Sequence, residues 1–113
     1  MSRHEDTVRL GHMLDHALEA VEMCRGRTRK DLDSDRMLNL ALVRLVEIVG
    51  EAANRVSKQG QDDRPAIPWR KVIGMRNRIV HGYDQVDFNI LWDTIHDDLP
   101  PLIETLRTML ARP

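Results

Sequence analysis

Apolar residues fall on helical spacing along most of this chain. Leu10, Met13, Leu14, Ala17, Leu18, Val21 and Cys24 recur at i, i+3, i+4 and i+7, the pattern of one buried stripe on an amphipathic helix. Acidic and basic residues fill the positions between them. Arg25-Gly26-Arg27 ends the segment, with glycine just past the last periodic residue. Asp33 or Ser34 can cap the next helix, because a short side-chain oxygen accepts from the free N–H groups of a first turn. That second helix is predicted from about Asp35 to Lys58, and from Met37 to Val56 its apolar residues cover more than one stripe. A helix apolar on most sides is central or also faces another chain, and here both are expected. Gly50 and Ala52-Ala53 leave room for close backbone approach.

The rest is more broken. Residues 59–68 hold Gly60, two aspartates, Pro65 and Pro68 without a period, which reads as a loop. Pro68 can open a short helix, where its missing N–H costs little, with Trp69, Val72 and Ile73 facing inward. Gly74 breaks or bends that helix. The segment from Met75 to His81 continues helically and Gly82 stops it. Asp87 caps a last stretch whose apolar face is Ile90, Leu91, Ile95 and Leu99, then Leu102, Ile103, Leu106 and Leu110. Pro100-Pro101 must bend or interrupt it, since a proline inside a helix removes a hydrogen bond. There is no convincing alternating strand, no repeat and no low-complexity segment. The expectation is an all-α bundle of four to five helices, one domain over residues 1–113.

Composition narrows the possibilities. At 113 residues the chain is one domain that can bury roughly 65% of its extended surface. Apolar residues are 42% and charged residues 31%, as in a soluble globular protein. Aromatics are only 4%, too few for a surface that stacks bases along a strand. The single cysteine, Cys24, excludes an internal disulfide framework and an all-cysteine metal site. No apolar run is long enough to span a bilayer, and MSRHEDTVRL has no apolar signal core, so a cytoplasmic location away from membranes is expected. The net charge of −1 gives no strong global field, but the charge is uneven. Residues 64–83 hold Arg64, Arg70, Lys71, Arg76 and Arg78 and no acid, whereas residues 84–104 hold Asp84, Asp87, Asp93, Asp97, Asp98 and Glu104 and no Lys or Arg. Such a split makes a local anion site beside an acidic shield, a self-complementary surface, or simply solvated helix ends. A second basic cluster, Arg25, Arg27, Arg29 and Lys30, sits near Gly26.

The densest polar constellation is Arg76-Asn77-Arg78-Ile79-Val80-His81-Gly82-Tyr83. On a helix Asn77 and His81 share a face, while Arg76 and His81 lie about 140° apart. They would line one cavity only if the helix ends at Gly82 and a second copy packs alongside. Arginine offers permanent planar charge to a phosphate, histidine takes or gives a proton near neutral pH, and Asn77 can orient the ring. Together they suit attack on an RNA phosphodiester without a metal. The spacing equally fits solvated Arg76 and Arg78, a helix-end Asn77–His81 hydrogen bond and a Tyr83 that caps the core. Other pairs carry less. His12 and His16, with Asp15, have metal-ligand spacing but no third histidine, and a surface pair fits better. Glu47 and Glu51 could form a carboxylate pair for a metal or a proton relay, though contacts across the bundle with arginines such as Arg44 or Arg55 account for them more simply. Cys24 belongs to the core stripe.

The stretch R-N-R-I-V-H-G-Y, preceded by I-P-W-R-K-V-I-G-M and followed by D-Q-V-D-F-N-I-L-W and D-L-P-P-L, resembles the HepT-like branch of the HEPN superfamily. R-L-V-E-I-V-G-E-A-A-N-R-V resembles that branch's helix with its G-E-A element. The resemblance spans residues 36–107. It implies a HEPN-type bundle that forms a homodimer, with a composite cleft where two R-x4-H motifs meet. It implies a toxin that cleaves RNA without metal or cofactor. The implied partner is a minimal nucleotidyltransferase antitoxin that transfers AMP onto the tyrosine of H-x-Y. By that resemblance Arg76 binds phosphate, His81 is acid or base, Asn77 positions, and Tyr83 is the modified residue. The alternative function is a non-catalytic nucleotide- or partner-binding subunit of the same pair.

Overall fold

Three long helices carry the fold of the computed structural model, which describes residues 2–112. They are α1 (Arg3–Met23), α3 (Arg36–Asn54) and α8 (Leu99–Leu110), with α1 packed along both α3 and α8. Shorter elements join them: α2 (Asp31–Ser34), α4 (Lys58–Asp62), α5 (Trp69–Ile73), α6 (Met75–Ile79) and α7 (Phe88–Asp93), plus a π-helical turn at Thr94–Asp98 that runs into α8. A two-stranded antiparallel ribbon, β1 (Val80–His81) with β2 (Gln85–Val86), is the only sheet among the described residues. The architecture is the expected all-α bundle, and no described helix is long and apolar enough to cross a membrane.

The core follows the predicted stripes. Leu10, Met13, Leu14 and Ala17 of α1 meet Leu42, Val46, Val49 and Ala53 of α3 and Leu99, Leu102 and Leu106 of α8. Cys24 is buried in that cluster, and its burial pushes the thiol pKa up, as expected of a packing cysteine. Gly50 is a spacer: a Cβ there would lie 3.2 Å from the Val72 carbonyl oxygen and 3.3 Å from that of Ile73, so α5 crosses α3 with its backbone almost touching.

Several boundaries differ from the sequence reading. Asp33 and Ser34 do not cap the central helix. They form α2 with buried Leu32, and Asp35 is the cap, accepting from the Leu38 N–H at 3.0 Å. That backbone hydrogen bond holds the Asp35 carboxyl below its ordinary pKa. The central helix stops at Asn54 instead of Lys58, and the predicted loop after it contains the turn α4, capped by Ser57. Ser57 also fixes a buried carboxylate. Asp6 accepts from the Ser57 N–H at 2.9 Å and from its hydroxyl at 2.6 Å, joining α1 to the start of α4. Pro100 and Pro101 follow the π-helical turn at the start of α8, so the expected interruption takes the form of that turn inside an otherwise unbroken helical run over residues 88–110.

Candidate functional site

The R-N-x-x-x-H-x-Y segment is not one helix. α6 ends at Ile79, because Val80 turns extended (φ −105°, ψ 121°) and the Asp87 N–H takes the Ile79 carbonyl at 2.8 Å. β-branched Val80 and Val86 then pair across the ribbon, as do His81 and Gln85. Successive strand residues face opposite ways, so Val80 and Val86 pack on the core while His81 and Gln85 face outward. The predicted shared helical face for Asn77 and His81 is therefore absent: His81 rides on a strand, and no hydrogen bond links the two among the described residues. Gly82 has φ 76°, a conformation costly for any residue with a Cβ, and it reverses the chain. Tyr83 follows at the tip of the turn with 102% relative exposure. Its ring packs on nothing, which removes the reading of Tyr83 as a cap on the core.

Charge pairing decides which arginine is available. Arg78 reaches down to Asp98 at 3.1 Å, and Lys71 meets the same carboxylate at 3.0 Å. Arg78 also donates to Thr94 at 3.4 Å. The run of positive residues and the run of acids are thus partly a clamp within one chain. It fastens α5 and α6 to the π-helical turn, and it spends Arg78 on architecture. Arg76 points the other way, to Glu47 of α3 at 2.9 Å. Arg44 pairs with Glu47 and lies 3.8 Å from Glu51. Arg44 thus meets the glutamates from their own helix and not across the bundle, Arg55 forms no such pair among the described residues, and the cross-bundle partner is Arg76, 29 residues away, which leaves no mark in local spacing. Arg76 and Asn77 line a cleft of about 320 Å³ with Glu47, Gly50, Glu51, Asn54 and Ile73. His81 does not line it. One chain therefore brings Arg76 and Asn77 together and leaves His81 and Tyr83 exposed on the adjoining turn. No cluster of three metal-ligating side chains exists among the described residues, so His12, His16 and Asp15 do not form one.

Comparison with known proteins places this segment in context. Residues 13–109 match the family described as ribonuclease HepT-like. The chain belongs to that family. Over 103 residues it is 31% identical to a protein named "Putative RNase TTE0752" from Caldanaerobacter subterraneus, covering 91% of this chain and 92% of the relative. Over 93 residues it is 34% identical to "Probable ribonuclease HepT" from Thermococcus cleftensis, covering 79% and 84%. A relative from Methanocaldococcus jannaschii named "Putative RNase MJ1380" is 26% identical over 102 residues, 90% of this chain and 94% of its own. No solved structure matches significantly. The HepT-like match takes in all of α3, α6 and the ribbon, so Glu47, Arg76, His81 and Tyr83 lie inside it. Arg3, Asp6, Arg9 and His12 lie before it.

Proposed function

We propose that this chain is a metal-independent endoribonuclease, the toxin of a toxin–antitoxin pair, silenced when a minimal nucleotidyltransferase transfers AMP onto Tyr83. Membership of the HepT-like ribonuclease family supports the reaction class. The carrying observation is that Arg76, His81 and Tyr83 are all exposed on one helix–turn unit whose underside is clamped by the Arg78–Asp98 pair. In this reading Arg76 leaves Glu47 for a scissile phosphate and stabilises the charge that builds on it. His81 moves the proton, either taking it from an attacking 2′-hydroxyl or giving it to the departing 5′-oxygen.

A homodimer supplies the pair of histidines such a reaction uses. Met37 and Leu40 are 83% and 53% exposed near the start of α3, on the stripe that continues through Arg44, Glu47 and Glu51. The apolar start of that stripe, Met37 and Leu40, suits a two-fold contact, with Glu47 and Glu51 left at its edge beside the clefts. For silencing, the Tyr83 oxygen attacks the α-phosphorus of ATP. The new O–P bond replaces the bond to the β-phosphate, pyrophosphate leaves, and the phenol proton goes to a base of the transferase. The added phosphodiester and adenosine then occupy Arg76 and the cleft.

Intact mass after co-expression with the transferase tests the switch: gain of one or more AMP on the wild type, absent in Tyr83→Phe, supports it. Neutralisation of an unmodified toxin overturns it. The second reading, a binding subunit without cleavage, is favoured by one observation: Arg76 is paired with Glu47 and His81 stands outside its cleft. RNA cleavage by the purified wild type in EDTA, lost in His81→Ala, excludes that reading.

A further inference from the structure

A second cleft, of about 180 Å³, runs between α1 and α3 and is lined by Arg9, His12, His16, Ile48, Glu51, Ala52 and Arg55. It borders the Arg76 cleft directly. On α3, residues 47, 50 and 54 line one cleft and residues 48, 52 and 55 the other, with Glu51 shared on the ridge between them. The charges differ in availability. Arg76 and Arg44 are held by Glu47, whereas neither Arg9 nor Arg55 forms an ion pair among the described residues. The Nε of Arg9 is buried without any hydrogen-bond partner. A buried guanidinium N–H left unpaired is costly; this atom has no accessible surface, so a ligand in the groove meets only the outer nitrogens of Arg9. The Nδ1–H of His16 donates to the His12 carbonyl at 2.7 Å, which fixes that ring and leaves its other nitrogen without a partner among the described residues. Glu51 is the one acid in the groove, and Arg44 lies 3.8 Å from it.

We infer that this α1–α3 groove is a phosphate subsite that carries single-stranded RNA onward from the Arg76 cleft. The inference rests on the ribonuclease reading for the identity of the polymer. Guanidinium forks fit phosphate oxygens and stay charged at any working pH. The floor offers only Ile48 and Ala52, with no apolar pocket to anchor a peptide side chain. No Phe, Tyr or Trp lines the groove, and its two rings, His12 and His16, stand edge to face at 6.4 Å, so the arginines dominate and the groove holds backbone, giving affinity and register with little preference for sequence. Glu51, between two phosphate positions, faces the sugar and base, where the 2′-hydroxyl and amino groups are donors.

The test is binding of a fluorescein-labelled single-stranded oligoribonucleotide across a salt series. It compares His81→Ala, Arg55→Gln/His81→Ala and Arg9→Gln/Arg55→Gln/His81→Ala, so that cleavage does not interfere. Removing both arginines should weaken binding on the order of tenfold and lower the slope of log K against log salt by about 1.4, since each single-strand phosphate contact contributes about 0.7. Arg55 is exposed, so its single substitution reports even if the Arg9 change disturbs the fold, and it should give about half the slope change. Unchanged slope and affinity in the Arg55 variant, or no RNA binding by His81→Ala at all, overturns the subsite. So does a variant that loses the protein partner while binding RNA normally. Wild-type cleavage, followed separately, reads the parent proposal. Arginine-dependent binding without wild-type cleavage keeps the subsite and sinks the nuclease, and cleavage with arginine-independent binding does the reverse.

Discussion

Asp6 and Glu47 are both carboxylates on long helices, and they do opposite work. Asp6 is buried, 4% exposed, with both oxygens accepting from Ser57. Those hydrogen bonds, the Ser57 hydroxyl foremost, hold its pKa below the ordinary value against the opposing effect of burial. Gly60 packs so tightly against it that an added Cβ would sit 2.4 Å from its Oδ2. Glu47 is 27% exposed and shares itself between Arg44 and Arg76, either of which can leave for water or a phosphate. A satisfied buried charge has no cheaper alternative partner and becomes architecture. A half-exposed pair has several, and so can be exchanged during function.

The largest expected effect belongs to the exposed corner. His81→Ala and Arg76→Ala should each lose about 10² to 10⁴-fold in RNA cleavage, the usual range for a general acid–base group or a charge-stabilising donor. Thermal unfolding should barely move. Cleavage persisting in His81→Ala, or cleavage that needs added magnesium, would break the assignment.

Next come the buried corner's own substitutions. Asp6→Asn keeps one acceptor but turns an amide towards the Ser57 hydroxyl, and should cost about 1.5–3 kcal/mol, as for hydrogen bonds to a charged group. Gly60→Ala should cost a comparable amount by pushing the carboxylate off Ser57. Denaturant melts read both, and specific activity per folded molecule should be unchanged. A loss of activity without loss of stability would mean that the two corners are coupled.

A smaller, graded effect is acid sensitivity. The folded pKa of Asp6 is depressed, so its contribution is fully present above the unfolded value of about 3.9 and is lost as pH falls through the lower folded one. Wild type and Asp6→Asn should differ most near neutrality and converge below about pH 4. A constant gap down to pH 2 would show that the hydrogen bonds do not depend on the charge.

The smallest effect should come from Glu47→Gln. An exposed ion pair contributes at most about 1 kcal/mol, so stability should hold. Release of Arg76 should tighten binding of single-stranded RNA a few-fold, measured by fluorescence anisotropy. Destabilisation as large as that of Asp6→Asn would erase the contrast between the two carboxylates.

The helices were legible because burial repeats at helical spacing. Leu10 to Cys24 and Leu99 to Leu110 face the core as their periods require, and Asp87 caps α7 as its position suggested. The apolar excess of the central helix was equally visible, and it resolves into a buried set plus exposed Met37 and Leu40. The candidate residues Arg76, Asn77, His81 and Tyr83 could be named from their order in the chain. Their mutual geometry could not. Helical angles describe a helix, and Val80, Gly82 and the Asp87 N–H end this one before His81.

The sequence by itself determined the all-α class, the stripes that form the core, and the identity of the candidate residues between Arg76 and Tyr83, because each depends on neighbours within a few residues. Only the tertiary structure decided which charges pair. Arg78 and Arg76 look alike two positions apart, yet one is clamped to Asp98 from the π-helical turn and the other meets Glu47 on α3. Asp6 and Ser57 stand 51 positions apart, and nothing local marks them as partners. Coulomb attraction and hydrogen bonding act through space at a few ångströms, so they are settled only once packing has brought distant helices together.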